Sequence, residues 1–321
     1  MSENNVIVVL DGHTLNPGDL SWAALGRLGA LHVYPRSTPS EIIERARGAN
    51  IILVNKVRVT REALVQLPAL RCICVTATGY NNIDLEAASE RGIAVCNVRG
   101  YGTEAVAQHV FALLLHVTNQ VALHGEAVRA GEWSGQADFS FWKEPIASLQ
   151  GMVMGIYGFG KIGQKVAEIA LAFGMQVLAT HKHPERDARP GVAFVGLSEL
   201  FAASDVLSLH APLSAENRGI VNQGLLQRVK PHAVLINTAR GELIVEEDLD
   251  RALRDGRLGA AALDVLSQEP PPLSHPLLQA PRCIVTPHQA WAGFEARKRL
   301  LELSTENVRG FLNGTMPFRI V

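Results

Sequence analysis

Short apolar runs alternate with amphipathic stretches through the first hundred residues of the chain. Each run is four or five residues long, the length of a short buried strand, and the stretches between them have helical spacing. This alternation is typical of βα units, which form a parallel sheet covered by helices. Five strands are therefore predicted, at VIVVL (6–10), ALHVY (30–34), IILV (51–54), RCICV (71–75) and IAVCN (93–97).

A second alternation follows a long helical stretch that runs from Thr103 to about Ala130. Short helical patterns separate its apolar runs, and this arrangement predicts a doubly wound sheet of the dinucleotide-binding kind. The chain then ends in a helical pattern at about 293–313. The seven predicted strands are MVMGIY (152–157), MQVLAT (175–180), VAFV (192–195), DVLSLH (205–210), AVLIN (233–237), AAALDV (260–265) and RCIVT (282–286).

The final helix has no obvious place in a complete seven-stranded domain, so we expect it to pack on the first domain. A length of 321 residues also favours two domains over one. The predicted fold class is α/β, with two doubly wound parallel-sheet domains and a cleft between them. The first domain is flavodoxin-like and discontinuous, comprising 1–102 plus 290–321, and the second is a Rossmann-type domain comprising 103–289.

A glycine-rich turn follows the first strand of the second domain. Gly158, Gly160 and Gly163 form the pattern G-x-G-x-x-G between VMGIY and a helix with one apolar face. The first glycine permits a tight turn, the second lets the backbone approach a pyrophosphate, and the third lets helix and strand pack closely. The phosphate then meets free N–H groups at the helix start. The turn predicts a bound dinucleotide.

The end of the next strand leaves the choice of dinucleotide open. An acidic residue that binds the two ribose hydroxyls is expected near position 181, but the sequence there is Thr180, His181, Lys182, His183. A carboxylate at this position repels a 2′-phosphate. Its absence, with Lys182 alongside, leaves room for NADP(H) as well as NAD(H). The alternative is a solvated basic loop that tolerates both cofactors.

Three polar residues stand just beyond strands, where a doubly wound sheet places its reacting groups. Arg240 follows VLINTA, Glu269 follows the strand that ends in LDV, and His288 follows IVTP. Such residues can converge on one site although they come from separate segments. A cationic fork, a carboxylate and an imidazole suffice to bind a carboxylate substrate and to move a proton beside a hydride.

Composition excludes several other classes of protein. The formal net charge is -1, and Lys and Arg are scattered, so we expect no nucleic-acid partner. The cysteines, at 72, 74, 96 and 283, lack the spacing of a metal site and are predicted to be reduced thiols, with no bound metal. The N-terminus MSENNVIVVLDG does not have the features of a signal peptide.

The most apolar helical run is AVAQHVFALLLHV at 105–117. Gln108 and His109 interrupt it, and it falls short of the length of a membrane span. We therefore expect a cytoplasmic protein that has no membrane partner.

Segments across nearly the whole chain carry a family resemblance. In their order and content they resemble the D-isomer-specific 2-hydroxyacid dehydrogenases, most closely the glycerate dehydrogenase or hydroxypyruvate reductase branch. The segments are ATGYNNIDLEAASERGIAVCNV (77–98), GTEAVAQHVFALLL (102–115), GIYGFGKIGQKVA (155–167), LHAPLSAEN (209–217), INTARGELIVEEDLDRAL (236–253), ALDVLSQEP (262–270) and TPHQAWAGFEAR (286–297).

The resemblance implies a role for each of the three polar residues. Arg240 would hold the carboxylate and carbonyl of the substrate. His288 would be the general acid when a keto acid is reduced and the general base when a hydroxy acid is oxidised. Glu269 would hold the imidazole in place and favour its protonated form. By the same resemblance, the first domain binds substrate and the second binds NAD(P).

The implied reaction is the NAD(P)H-dependent, reversible reduction of hydroxypyruvate or glyoxylate to D-glycerate or glycolate. One alternative is a dehydrogenase for another D-2-hydroxy acid, such as lactate or a sugar-derived acid. A second alternative, from a different class, is a corepressor-like protein that binds protein partners and senses the dinucleotide. The presence of Arg240, Glu269 and His288 favours an enzyme.

Further contacts are expected by the same resemblance. The predicted substrate-binding residues are Asn55, Lys56, Thr78, Gly79, Arg240 and His288. The predicted cofactor-binding residues are Thr103, Gly158, Gly160, Lys161, Ile162, Gly163, His181, Lys182, His210, Ala211, Pro212, Thr238, Ala239, Arg240, Asp264, His288 and Ala290.

An aromatic cluster, Phe139, Phe141 and Trp142, follows the long helix. In the resembled family this region packs against a partner subunit, which implies a homodimer in which Trp142 could line the neighbour's pocket. The alternative is a locally packed loop.

Overall fold

The structure is a computed structural model that describes residues 5–321. The chain divides into two compact units, one formed by Met1–Gly102 with Trp291–Val321 and the other by Thr103–Ala290. We call them the split unit and the continuous unit. The first four residues of the N-terminal segment that was predicted not to be a signal peptide lie outside the described residues.

The split unit contains a parallel five-stranded sheet with the order β2-β1-β3-β4-β5. This is the flavodoxin-like order of a doubly wound sheet. Its strands are β1 (Val6–Val9), β2 (Ala30–Val33), β3 (Ile51–Val54), β4 (Cys72–Val75) and β5 (Ala94–Cys96). Its helices are α1 (Ala23–Gly26), α2 (Ile42–Arg45), α3 (Arg61–Val65), α4 (Leu85–Glu90) and the long C-terminal α11 (Phe294–Leu312).

The central strands of this sheet are apolar at every position because both faces are covered. All residues of β3 and β4 are buried, as expected for a parallel sheet between two helix layers. Helix α11 packs on β4, and Val308 joins one core cluster with the free thiols of Cys72, Cys74 and Cys96.

The continuous unit contains a parallel seven-stranded sheet with the order β12-β11-β10-β9-β6-β7-β8. It is a Rossmann-type sheet with one added strand, so the predicted α/β fold class is confirmed. Its strands are β6 (Val153–Tyr157), β7 (Gln176–Thr180), β8 (Val192–Phe194), β9 (Val206–Leu209), β10 (Val234–Asn237), β11 (Ala260–Leu263) and β12 (Cys283–Val285).

Helices cover both faces of this sheet. They are α5 (Thr103–Asn119), α6 (Val121–Arg129), α7 (Lys161–Ala172), α8 (Leu197–Ala203), α9 (Gln223–Leu226) and α10 (Glu246–Arg254), with short 3-10 helices at Gly241–Leu243 and Pro276–Leu278.

The long helical stretch predicted from Thr103 is two helices. The chain breaks at Gln120, whose φ of 48° lies in the left-handed region, and the two helix axes meet at 53°. In the described part of the chain, no single helix is long and apolar enough to cross a membrane. The two bent helices reach such a length and apolar composition only when they are counted together. The apolar face of α5 packs in the core against α7.

Candidate active site

The three polar residues predicted to carry the chemistry lie beyond neighbouring strands of one sheet. Strands β12, β11 and β10 are adjacent and parallel. His288, Glu269 and Arg240 follow them in that order. Because the carboxyl ends of parallel strands share one edge of a sheet, all three residues follow that edge of the continuous unit.

His288 and Glu269 form a direct pair. Nδ1 of His288 lies 2.6 Å from Oε2 of Glu269, and the two side chains are 24% and 33% exposed. His288 has a φ of 51°, a left-handed conformation that is uncommon for residues other than glycine. The surrounding structure must therefore hold this backbone, as is frequent at functional sites.

Asp264 holds the loop that carries His288. Its buried carboxylate accepts hydrogen bonds from the N–H groups of Gln289 and Ala290, at 2.9 and 2.8 Å, and from the Thr286 hydroxyl at 2.6 Å. Its backbone carbonyl accepts from the N–H of His288 at 2.8 Å. Burial alone raises the pKa of Asp264, but the hydrogen bonds outweigh it and hold that pKa below its ordinary value.

His109 completes this support from helix α5. Its Nε2 lies 3.1 Å from the Thr286 hydroxyl and 3.4 Å from Oδ1 of Asp264. In the sequence, His109 stood out only as an interruption of an apolar run. A polar residue within an otherwise buried helix was the signal that could have indicated a partner inside the protein.

Glu269 is fixed by its own loop. Its Oε1 accepts from the N–H of Leu266 at 3.1 Å, so one oxygen holds the loop and the other holds His288. Behind it, Glu246 at the start of α10 accepts from the N–H of Ser267 at 2.8 Å and contacts Nε2 of the buried His275 at 3.2 Å. Sequence reasoning missed this second carboxylate.

Arg240 stands next to a glycine that the packing requires. A Cβ on Gly241 would lie 2.0 Å from the backbone carbon of Leu266, so only glycine lets the two segments come together there. This contact brings the segment of Arg240 against the loop that carries Glu269. The carbonyl of Arg240 accepts from the side chain of Asn237 at 2.8 Å.

The glycine-rich turn has the geometry that a dinucleotide needs. Gly158 has a φ of 96°, and a Cβ there would lie 2.4 Å from the backbone nitrogen of Ala211. A Cβ on Gly163 would lie 2.3 Å from the carbonyl oxygen of Gly158, whereas one on Gly160 would meet open space. Helix α7 begins at Lys161, so its free N–H groups border that space.

A buried hydroxyl at the same sheet edge supports this fit. Thr238 follows β10, and its Oγ1 is buried without a hydrogen-bond partner among residues 5–321. An unpaired buried hydroxyl costs free energy unless a bound group satisfies it.

The comparisons with known proteins agree with this geometry. A family model described as D-isomer specific 2-hydroxyacid dehydrogenase, NAD binding domain, matches residues 111–290. The chain belongs to the D-isomer specific 2-hydroxyacid dehydrogenase family. The predicted resemblance is confirmed, and the dehydrogenase uses a nicotinamide dinucleotide.

Two curated relatives and one solved structure cover most of this dehydrogenase. It is 44% identical to the hydroxypyruvate reductase of Blautia hydrogenotrophica, over 98% of this chain and 99% of the relative. It is 39% identical to the glycerate dehydrogenase of Methylorubrum extorquens, over 86% and 87% of the two chains. The crystal structure of TT0316 protein from Thermus thermophilus superposes with a TM-score of 0.87 at 36% identity, covering 98% and 100%.

The predicted cofactor residues of the dehydrogenase all belong to the continuous unit. Thr103 begins α5, and Lys161 and Ile162 begin α7. The others, apart from the glycines already described, follow the carboxyl ends of strands: His181 and Lys182 after β7, His210, Ala211 and Pro212 after β9, Thr238, Ala239 and Arg240 after β10, Asp264 after β11, and His288 and Ala290 after β12.

Two histidines of this set, His210 and His181, contact polar side chains inside the protein. The ring of His210 contacts the Ser208 hydroxyl at 2.8 Å, and burial lowers the pKa of His210 to about 3, so the ring is neutral near pH 7. His181 pairs with Asp187, six positions further along, at 2.8 Å. Asp187 was not among the residues predicted from the sequence, and an acid elsewhere in the loop after position 181 was the signal that could have indicated it.

The predicted substrate residues Asn55, Lys56, Thr78 and Gly79 belong to the split unit. The N–H groups of Asn55 and Lys56 donate to the two carboxylate oxygens of Asp11, at 2.8 and 2.6 Å. The Thr78 hydroxyl donates to the carbonyl of Val98. Internal hydrogen bonds thus fix both segments, while contact with substrate stays a prediction.

Potential metal ligands do not cluster in the described part of the chain. Within residues 5–321, no group of three or more His, Cys, Asp or Glu side chains is placed to hold a metal ion.

Proposed function

We propose that the protein catalyses the reversible, NAD(P)H-dependent reduction of hydroxypyruvate or glyoxylate to D-glycerate or glycolate. Family membership supports the reaction type, and the names of the two curated relatives support the substrate class. The observation that carries the proposal is the His288–Glu269 pair, with 2.6 Å between Nδ1 and Oε2.

The pair explains how a proton moves during the reaction. Glu269 accepts the Nδ1–H of His288 and fixes the ring, which leaves Nε2 as the nitrogen that exchanges a proton with the substrate. During reduction His288 gives this proton to the carbonyl oxygen, and during oxidation it takes the proton from the hydroxyl. A nicotinamide dinucleotide held by the continuous unit would supply the hydride for reduction or accept it in oxidation.

Arg240 binds and polarises the substrate. A guanidinium offers parallel N–H donors that match a carboxylate and an adjacent carbonyl oxygen. It stabilises the negative charge that builds on that oxygen before the proton arrives. Gly241, packed on Leu266, holds this segment close to Glu269.

The cofactor is proposed to be either NADH or NADPH. Position 181 holds a histidine in place of the expected acid, and Lys182 is adjacent. We expect turnover with NADPH to be within about tenfold of that with NADH, because position 181 itself carries no acid that would repel the 2′-phosphate. A strict preference for NADH in steady-state assays would refute this.

The active form is proposed to be a homodimer. Phe139 and Trp142 are 91% and 66% exposed on the segment that follows α6. Apolar exposure of this kind is typical of an interaction surface, and the family resemblance assigns this region to a subunit contact.

A panel of 2-keto acids tests the proposed reaction. Hydroxypyruvate, glyoxylate, pyruvate and longer keto acids are each assayed with NADH and with NADPH. The proposal expects the highest kcat/KM with hydroxypyruvate or glyoxylate. A higher value with pyruvate or a longer acid would favour another D-2-hydroxy acid dehydrogenase. Cofactor binding with negligible reduction of every acid would favour the corepressor-like alternative.

A further inference from the structure

The end of β7 lies against the glycine-rich turn. The N–H of Gly158 donates to the carbonyl of Thr180 at 3.1 Å, and the ring of His181 meets the ring of Phe159 edge to face, with 6.4 Å between centroids. In a Rossmann-type site the ribose that can carry a 2′-phosphate lies between this turn and the end of the second strand. Side chains that face His181 are therefore expected to affect the preference between NADH and NADPH.

Asp187 is the acid that faces His181. Its Oδ2 accepts from Nε2 of His181 at 2.8 Å, and from Nε and Nη2 of Arg186 at 3.0 and 2.6 Å. The side chains of His181 and Asp187 are only 15% and 17% exposed, so water screens this pair less than a surface pair. The hydrogen bonds from Arg186 and then His181 lower the pKa of Asp187 to about 2, which keeps it ionised at neutral pH.

We infer that Asp187 determines the cofactor preference, by supplying from the loop the negative charge that the end of β7 lacks. This inference rests on the proposed use of NAD(P)H. Asp187 occupies Nε2 of His181 and Nε and Nη2 of Arg186, which are donors of the kind that bind a 2′-phosphate. Its own charge also repels such a phosphate. Asp187 therefore favours NADH over NADPH. It reduces the preference for NADPH that a basic loop would otherwise produce.

Lys182 is expected to influence the preference between NADH and NADPH less than His181 does. Its ammonium lies 3.5 Å from Glu216, and both side chains are largely exposed, at 84% and 79%. Exposed pairs of this kind contribute little because water and salt screen them. The half-buried pair of Asp187 and His181 is the better place to alter the preference.

The test is the substitution Asp187→Asn, which keeps the size of the side chain and removes its charge. Dissociation constants of NADH and NADPH are measured by fluorescence titration without keto acid, beside those of the unchanged protein. We expect the NADPH constant to fall by about tenfold relative to the NADH constant, since one charge near a phosphate has an effect of that order. A ratio that stays within twofold, or moves toward NADH, would overturn the inference.

Glu185→Gln is the matched control. Glu185 is an exposed acid of the same loop, so its substitution makes the same change in net charge and leaves the Asp187 contacts intact. The ratio of the two constants should stay near that of the unchanged protein. A shift as large as that of Asp187→Asn would mean that net charge alone acts, and would overturn the specific role of Asp187.

A second variant keeps the inference testable if Asp187→Asn does not fold. His181→Gln removes the ring that pairs with Asp187 and leaves the charge of Asp187 less compensated, so we expect it to weaken NADPH binding several-fold more than NADH binding. Equal effects on both cofactors would contradict the inference. Because these titrations contain no keto acid, a protein that binds both cofactors but reduces none refutes only the proposed reaction.

Discussion

His288 is held at two points, of which only the contact with Glu269 was expected from the sequence. Glu269 binds its ring, and Asp264 binds its backbone N–H while also holding the two residues that follow. Such support is what permits a left-handed backbone at a residue with a side chain. A general acid needs this precision, because proton transfer depends on placing the donor within hydrogen-bond reach of the substrate oxygen.

The proton-transfer role predicts the effect of His288→Ala. We expect turnover to fall by about 100- to 10,000-fold, because positioned proton transfer contributes that much to the rate. The dissociation constant of the cofactor should change little. The control is His116→Ala, at an exposed position on α5, which should keep full turnover. Near-normal activity of His288→Ala would exclude this residue as the general acid.

His210 predicts how stability depends on pH. Burial lowers its pKa from 6.5 to about 3, so the folded protein keeps the ring neutral where the unfolded chain takes up a proton. Between these pH values the unfolded state binds more protons, and stability therefore falls as the pH falls below 6.5. The loss is at most about 1.4 kcal/mol per pH unit.

Urea denaturation at pH 7, 6 and 5 measures this contribution. The free energy of unfolding should drop less steeply with falling pH in His210→Gln, which has no group that titrates there, than in the unchanged protein. Parallel slopes in the two proteins would contradict the predicted contribution.

At the scale of elements, a helix start supports the loop that carries Glu269. Glu246 at the beginning of α10 accepts from the N–H of Ser267, two residues before Glu269, and also contacts His275. Its negative charge is favourable at a helix N-terminus. The loop between β11 and β12 thereby gains a fixed path although it contains neither helix nor strand over the residues before Pro276.

Glu246→Ala tests this support. We expect it to lower the free energy of unfolding by about 1–3 kcal/mol, because it leaves the ring of the buried His275 and the N–H of Ser267 without this partner. Turnover should fall as well, since Glu269 loses its fixed path, while cofactor binding stays close to normal. Glu247→Ala, at the exposed neighbouring position, is the control. Unchanged stability and turnover in Glu246→Ala would exclude the supporting role.

At the scale of the whole molecule, the apolar surface after α6 is the region proposed to form the contact between two subunits. Phe139 and Trp142 are exposed there, and Trp133 donates from its ring N–H to the carbonyl of Phe139 at 3.0 Å. The segment therefore has a local contact that holds it while its aromatic rings face outward. A second copy of the chain would bury this apolar area, which is favourable by about 25 cal/mol per Å².

Phe139→Asp tests the proposed homodimer. We expect a shift from dimer to monomer in sedimentation or light-scattering measurements, because a charge would be buried without a partner. The control is Leu273→Asp, which places the same charge at a residue that is 94% exposed in another loop. A monomeric unchanged protein, or a dimer that tolerates Phe139→Asp, would contradict the proposal.

Periodicity located each of the twelve strands found within residues 5–321, but the ends of these strands depended on tertiary contacts. The run predicted at 260–265 ends as a strand at Leu263, because the side chain of Asp264 holds the loop after β12. Gln120 gave no sequence signal for a helix break, since nothing in the local pattern of apolar residues indicates a left-handed residue.

The sequence by itself determined the fold class, the glycine-rich turn and the three residues proposed for catalysis. Strand length, glycine spacing and the position of a residue after a strand are local properties, so they can be read along the chain. The contacts around His181 and His288 were decided by the tertiary structure. Asp187 beside His181, and Asp264 and His109 behind His288, depend on the paths of loops and on packing between distant segments, which local periodicity does not specify.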